Sequence, residues 1–421
     1  MTSRSCYVYI RLPGSFTAVT CGRFEREILP DGRAVGRFVY GQSYRSRPDA
    51  VPIDPYHLPL AQTRFETAKL GGIFGALRDA SPDAWGRRII ENFQGRTDLD
   101  EMDYLLLGPE DRVGALSFGH GQSPPAPVHR FNRVLDLKEL RVAAETLASM
   151  SAGDPVPLQI QQLADPGSSL GGARPKNVVE DHAGLWIAKF PQQSDRWNYA
   201  AVEAGMTTLA ARCGIRVPEV RTELVGDERV LLVKRFDRER TPEGYRRSRF
   251  VSALTVLDAE DTITNRANWS YLLLADELQR WSVQPASDKE ELFRRVVFNA
   301  LISNTDDHPR NHAFIAPGED WRLAPAYDLT PTPSHSIELR NLALDCGVFG
   351  RMARRDNLLS GAARFGLDRQ AASAIIDQIY QIVSRGWSAA VQRHGATETD
   401  CLAIAPAFAY AGFEYPTSPS R

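Results

Sequence analysis

Within NTDDHPRNHAFI, residues 304–315, four residues lie between Asp306 and Asn311, and a further acid, Asp328, follows in LAPAYDLTP. These types at this spacing suit phosphoryl transfer. An aspartate can receive or orient a hydroxyl proton. An asparagine amide oxygen, a neutral hard ligand, can hold Mg2+, and a second acid can bridge the ion to phosphates. The plainer alternative is a capped loop whose acids only satisfy backbone N–H groups. Metal-assisted hydrolysis is the other competitor, because His308 and His312 stand close together. Pro309 lies between them, however, and the HExxH helix pattern is absent. The ring of His308 is expected to bond backbone or a neighbouring acid.

Two further pieces fit the same chemistry. GSSLGGARPK, residues 167–176, has adjacent glycines whose backbone can turn tightly and offer N–H groups to phosphate oxygens. It is not a P-loop, since GxxxxGK[ST] is missing, and a plain hairpin turn explains the glycines equally well. Lys189 closes the apolar run LWIAKF and calls for a partner or a ligand. Glu203, in the segment that follows, can supply a carboxylate, the lysine–glutamate arrangement of ATP-dependent phosphotransfer. An edge-strand lysine facing water is the alternative.

The elements that must position these residues are legible as patterns. RRVVFNALI (294–302) reads as a buried helix, so the polar cluster falls on a short loop ahead of a turn at Pro317 and Gly318. WNYAAVEAGMTTLAARCG (197–214) predicts a helix with a glycine stop. VPEVRTELVGDERVLLVKRF (217–236) predicts two strands joined at Gly226-Asp227. Residues 6–45 hold short alternating segments and predict a small β-rich unit. Ser81-Pro82 predicts a cap with proline in the first turn of the helix that follows. LKELRVAAETLASM (137–150) is a further helix, GQSPPAPVH (121–129) a linker, and the chain after about 250 is mostly helical outside 304–335.

A chain of 421 residues suggests two or three domains. Its net charge of -2 provides no overall basic surface for nucleic acid, although a local patch can exist. No apolar run approaches the roughly 18 residues that span a bilayer, and the first residues do not resemble a secretory signal. The five cysteines lack paired spacing, as expected of reduced thiols in a cytosolic protein.

SSLGGARPK, IAKFP, VKRFDR, NTDDHPRN and YDLTP, in that order, resemble the HipA family of serine/threonine kinases, the toxin halves of bacterial HipBA toxin–antitoxin pairs. FGALRDASPDAWGRR and DRVGALSF resemble its N-terminal region. The resemblance spans most of the chain. It implies an α+β, protein-kinase-like, two-lobed fold. A β-containing subdomain would cover 1–125, the small lobe 126–238 and a mostly helical C-terminal lobe 239–421. It implies ATP and Mg2+ as cofactors, phosphorylation of a serine in a cytosolic protein such as an aminoacyl-tRNA synthetase, and growth arrest. It further implies a HipB-like helix-turn-helix antitoxin as partner, DNA contact only through that complex, no membrane, and a cytoplasmic location. Asp306 would be the base or hydroxyl-orienting residue, Asn311 and Asp328 would hold Mg2+, and Lys189 would contact phosphates. Gly171, Gly172 and Ala173 would offer backbone to the nucleotide, Arg235 and Phe236 would lie by the adenine, and His308 would sit in the nucleotide site. Ser169, with Ser168 beside it as second candidate, would be autophosphorylated to switch the kinase off.

The chain departs from the family's pattern at three places. Asp307 stands where a small residue is expected, Arg310 where lysine is common, and Lys234 where an acid is expected at the hinge. None removes a core catalytic group. VKRFDRERTPEGYRRSR (233–249) carries seven basic residues, with Arg229 just ahead, against three acids. It is either a basic rim for an acidic partner or a solvated loop. Two other functions share these motifs: a small-molecule kinase of the same fold, and a catalytically weak module that holds an antitoxin and co-represses its operon.

Overall fold

A computed structural model describes residues 2–126, 131–157, 160, 174–260, 262, 266–333, 336, 338–408 and 410–417. The chain divides into two compact units. The first comprises Met1–Phe190, Arg235–Val251 and Ile315–Asp320, and the second Pro191–Lys234, Ser252–Phe314 and Trp321–Arg421. The dividing points differ from the expected breaks at 125 and 238, because the segment from Arg235 to Val251 returns to the first unit.

The first unit opens with an antiparallel sheet. Its strands are β1 (Thr2–Arg11), β2 (Ala18–Ile28), β3 (Ala34–Tyr40), β4 (Phe65–Thr67) and β5 (Leu116–Gly119), in the order β4-β3-β2-β1-β5. Cys6, Val8 and Ile10 of β1 face the core, as the alternation predicts. The register of β1 on β2 shifts between Val8 and Tyr9, one residue of bulge that lets Tyr9 be buried too. Gly22 pairs with Tyr40 across β2 and β3, and a Cβ there would collide with the Val39 carbonyl and the Phe38 ring. Beyond the sheet, the helix Ala84–Gln94 begins at Asp83, whose carboxylate accepts from the Gly86 amide at 2.9 Å. The expected cap at Ser81-Pro82 is therefore two residues early. The aspartate wins the cap because its side chain reaches the third amide of the helix. A hairpin of Lys176–Asp181 and Gly184–Lys189 completes the part that bears on the site, with Lys176 opposite Lys189.

The second unit is mostly helical. Tyr199–Arg212 is capped by Asn198 and is followed by Gly214 in the left-handed region, so the predicted helix and its glycine stop are both observed. Gly205 in this helix permits close packing of the helix Arg369–Arg393, since a Cβ would lie 2.6 Å from the Val391 Cα. Val220–Val225 and Glu228–Lys234 form the predicted hairpin about Gly226-Asp227. The helix Pro285–Ile302 carries proline in its first turn, and all of its last twelve residues except Arg294 are buried. It stops at Ser303, which takes the left-handed conformation with φ 56°. Among the described residues no helix is long and apolar enough to cross a membrane.

Candidate active site

The loop that begins at Ser303 is much shorter than its polar composition suggests. A single 3-10 turn, Pro309–Asn311, fills its centre, and the strand Ala313–Ala316 follows at once. Asn304, Asp307, Asn311 and His312 are buried, whereas Asp306 is exposed. The His308 amide donates to the Asp306 carbonyl at 2.8 Å, and the Asn311 amide donates to the His308 carbonyl at 2.8 Å. Pro309 can donate nothing, so the backbone of His308 closes the turn. The bond expected from the His308 ring is not made at Nδ1, which is buried with no partner among the described residues.

Asn311 turns its two amide atoms in different directions. Nδ2 donates to the Asp306 carbonyl at 3.4 Å, while Oδ1 is buried and has no hydrogen-bond partner among the described residues. A buried acceptor left unpaired costs about 1–3 kcal/mol unless a ligand or water meets it. It is therefore the kind of atom a hard cation would occupy, and Asn311 with Asp328 offers the oxygen donors that Mg2+ prefers.

Asp328 reaches the loop because its own segment is tied down on both sides. The Tyr327 hydroxyl donates to the Arg310 carbonyl at 2.6 Å, and the Thr332 amide donates to the Ser303 carbonyl at 3.0 Å. Asp328 itself has φ 60°, a left-handed conformation that aspartate tolerates better than most side chains. Loss of water around Asp306 pushes its carboxyl above the ordinary range. His308 pulls it back, and the carboxylates of Asp328 and Asp307 push it further up. The structure thus puts Asp306 within electrostatic reach of Asp328 and in hydrogen-bond contact with Asn311, all three in the second unit.

Asp307, the departure from the expected small residue, is the best-connected group of the loop. Its Oδ2 accepts from Asn299 Nδ2 at 2.8 Å, from His312 Nε2 at 2.7 Å and from the Tyr271 hydroxyl. Sequence reasoning missed this role, although Asn299 inside the otherwise apolar VVFNALI was a usable signal. The bond to Asp307 takes up Nε2 of His312, while its Nδ1 is buried with no partner among the described residues. Among the described residues, no group of three or more His, Cys, Asp or Glu is placed to hold a metal ion.

The other expected site residues fall elsewhere. Lys189 is half-buried at the end of its strand in the first unit, and Glu203 is buried on the helix Tyr199–Arg212 of the second. Ser168, Ser169, Gly171, Gly172 and Ala173 lie outside the described residues. Lys176, not singled out from the sequence, is buried and paired with Asp83 at 2.6 Å. Phe236 is half-buried. The Arg235 guanidinium is fully enclosed against Asp111 at 2.8 Å and Asp237 at 2.9 Å, and its amide donates to the Leu185 carbonyl. Its side chain is structural. Lys234 meets Glu219 at 2.9 Å, so the acid missing from position 234 stands across the hairpin. The basic segment 233–249 is neither a solvated loop nor a continuous basic rim. Arg238–Thr241 and Gly244–Arg247 form a hairpin, and Arg235, Arg238, Arg247 and Arg249 are buried.

The chain is of the mixed α+β class, with a β-rich N-terminal region and a helical C-terminal region. Residues 168–387 match the HipA-like C-terminal domain, and residues 19–119 match the HipA N-terminal domain. The chain belongs to the HipA family, whose general character is that of a kinase toxin. Two proteins of Sinorhizobium fredii, named provisionally as kinases, are similar to it. Y4mE is 25% identical over 77% of this chain and 81% of its own length, and Y4dM is 31% identical over 49% and 52%. The fold resembles HipA of Shewanella oneidensis, solved with HipB and operator DNA. That match has a TM-score of 0.64 at 16% identity and covers 96% of each chain.

Proposed function

We propose that this chain is an ATP- and Mg2+-dependent serine/threonine protein kinase of the cytoplasm that arrests growth. The observation that carries the proposal is the division of labour on one short loop. Asp306 is exposed on the loop, while Asn311 holds a buried amide oxygen with no partner among the described residues, next to the Arg310 carbonyl that Tyr327 binds. Asp306 takes or orients the hydroxyl proton of the acceptor serine. Asn311 and Asp328 would hold Mg2+, which when bound would neutralise charge on the transferring phosphoryl group. Lys189 contacts the phosphates. The family resemblance assigns Gly171, Gly172, Ala173, Arg235, Phe236 and His308 to the nucleotide as well, the first three of which lie outside the described residues.

Ser169, or Ser168 beside it, accepts a phosphoryl group in self-inactivation. The acceptor in another protein is a serine, with an aminoacyl-tRNA synthetase as one candidate. The partner we propose is a HipB-like helix-turn-helix antitoxin, through which the chain meets DNA. The fold shared with the Shewanella HipA, solved with its HipB and operator, supports that partner.

The test is intact-mass and peptide mass spectrometry of unphosphorylated wild type and Asp306→Asn after incubation with Mg2+-ATP. The expected result is one added phosphoryl group on the 167–176 peptide in wild type only. Equal phosphorylation of both proteins would remove Asp306 from its role. No transfer by wild type to itself or to proteins of a cell extract would favour the weakly catalytic, antitoxin-holding module.

A further inference from the structure

Adjacent residues of the loop have opposite fates. Asp306 is exposed, and Asp307 is 1% exposed. A buried carboxylate is stable only if donors replace the water it loses, and Asp307 has three on one oxygen. Asn299 comes from the helix that ends just before the loop, Tyr271 from the first turn of the helix Tyr271–Trp281, and His312 from the end of the loop itself. All three side chains are buried. Burial, with Asp307 next to it, holds the Tyr271 hydroxyl well above its ordinary range, so it stays a donor. A carboxylate only accepts, so His312 Nε2 carries the hydrogen of its bond. The Tyr271 and His312 rings meet edge to face with centroids 5.5 Å apart, which fixes the direction from which both donors arrive.

Asn299 extends the network to the loop's start. Its Oδ1 accepts from Asn304 Nδ2 at 3.1 Å, while its Nδ2 serves Asp307. The chain Asn304–Asn299–Asp307–His312 therefore pins the beginning, the middle and the end of the loop to one buried asparagine on a rigid helix. Asp306 and Asn311 each sit next to a pinned residue and make no bond to the network.

We propose that Asp307 is a positioning residue. Through Tyr271, Asn299 and His312 it fixes the backbone that aims Asp306 outward and Asn311 Oδ1 toward the metal position. It touches neither the acceptor hydroxyl nor the nucleotide. Its loss frees the loop to rotate about residues 305–311, and displacement of about 1 Å at a reacting group costs on the order of a hundredfold in rate. The proposal rests on the kinase reading of Asp306.

The experiment measures the rate constant for transfer from labelled Mg2+-ATP onto the chain, and the KM for ATP. The proteins are wild type and the Asp306→Asn, Asp307→Leu, Tyr271→Phe, His312→Ala and His312→Gln variants. Asp307→Leu, which removes the accepting oxygen at similar volume, is expected to lower the rate constant on the order of a hundredfold with KM for ATP unchanged. His312→Ala is expected to lower it in the same direction, and His312→Gln, whose amide can donate in place of Nε2, to restore most of the loss. Should Asp307→Leu fail to fold, Tyr271→Phe removes a single donor, and a reduced rate constant at unchanged KM supports the proposal equally. Wild-type rates in folded Asp307→Leu or in Tyr271→Phe, or identical rates in His312→Ala and His312→Gln, overturn the positioning role while an inactive Asp306→Asn keeps the kinase reading. Wild-type transfer that persists undiminished in Asp306→Asn overturns both.

Discussion

Two buried polar networks, one in each compact unit, differ in what they leave unpaired. In the first unit, Asp237 is fully enclosed. Its Oδ2 accepts from the Gly114 amide at 2.9 Å, Arg235 Nη2 at 2.9 Å and Arg238 Nη1 at 2.7 Å, and its Oδ1 accepts from Arg235 Nε at 3.0 Å. Asp111 takes the other side of Arg235, and Glu110 binds Arg247 and Arg11. In the second unit, Asp307 is as deeply buried, but its partners are a tyrosine, an asparagine and a histidine. Around it the loop leaves Asp306 partly open to solvent and the Asn311 amide oxygen without a protein partner among the described residues. The ionic network spends its acids on enclosed arginines. The loop network saturates one acid so that its neighbours can stay unsatisfied. The contrast separates a lock from a site more sharply than charge density does, since the richer cluster of charge is the lock.

The largest effect expected from breaking this contrast is on the loop. Asp306→Asn should lower phosphoryl transfer on the order of a thousandfold, the weight of a positioned base. Its melting temperature should be unchanged or raised, because the substitution removes a carboxylate that loss of water and the neighbouring Asp328 and Asp307 disfavour. Parallel kinetics and thermal denaturation check both halves, and a large fall in melting temperature would make Asp306 a structural residue. Asp237→Ala should do the reverse. It strands two buried arginines and should cost about 3–5 kcal/mol of unfolding free energy, read by urea denaturation of the whole chain.

The same two regions differ in their response to acid and to metal. Burial alone would raise the Asp237 carboxyl, but Arg235, Arg238 and the Gly114 amide outweigh it and hold the group well below the usual carboxylate range. A depressed carboxyl lends stability above its unfolded value, near 4, and loses it as pH falls toward the folded value. Below about pH 4 the wild-type melting temperature should therefore fall more steeply than that of Asp237→Asn. A parallel pair of curves would show that Asp237 carries no such linkage. In the loop, Asn311→Ala should raise the Mg2+ concentration for half-maximal activity on the order of tenfold. A magnesium titration at saturating ATP tests it, and an unchanged midpoint would remove Asn311 from the metal site.

Much of this contrast could be read in the sequence, and the part that could not has a physical cause. The helix ending at Ile302, the hairpin about Gly226-Asp227 and the glycine-stopped helix follow from local periodicity and turn chemistry. Asp306, Asn311 and Asp328 stand out because their types and spacing are the chemistry. Asp307 was misjudged because nothing local tells which of two adjacent acids points inward. That depends on Tyr271 and Asn299, 36 and 8 residues away. The segment 233–249 misled for the same reason. Its arginines look solvated until Asp111 and Glu110, more than a hundred residues earlier, are brought against them. The cap at Asp83 was missed by two residues, within the ordinary reach of competing cap residues.

The smallest effect concerns Lys234 and calibrates the two networks. Its ion pair with Glu219 has a bond length like those around Asp237, but the two side chains are 36% and 57% exposed. Water screens such a pair, and holding two long side chains together costs entropy, so the net gain is about 0–1 kcal/mol. Lys234→Ala should therefore shift the unfolding free energy by less than about 1 kcal/mol. The substitution also bears on the hinge. If the ammonium is neutralised by Glu219 and does not meet the nucleotide, affinity for ATP should be unchanged in Lys234→Ala. Equilibrium binding of a fluorescent ATP analogue measures this directly. A clear loss of affinity would mean that the lysine has taken over the part expected of an acid at that position. A stability loss as large as that of Asp237→Ala would mean that saturation of partners, rather than burial, sets the strength of a pair in this fold.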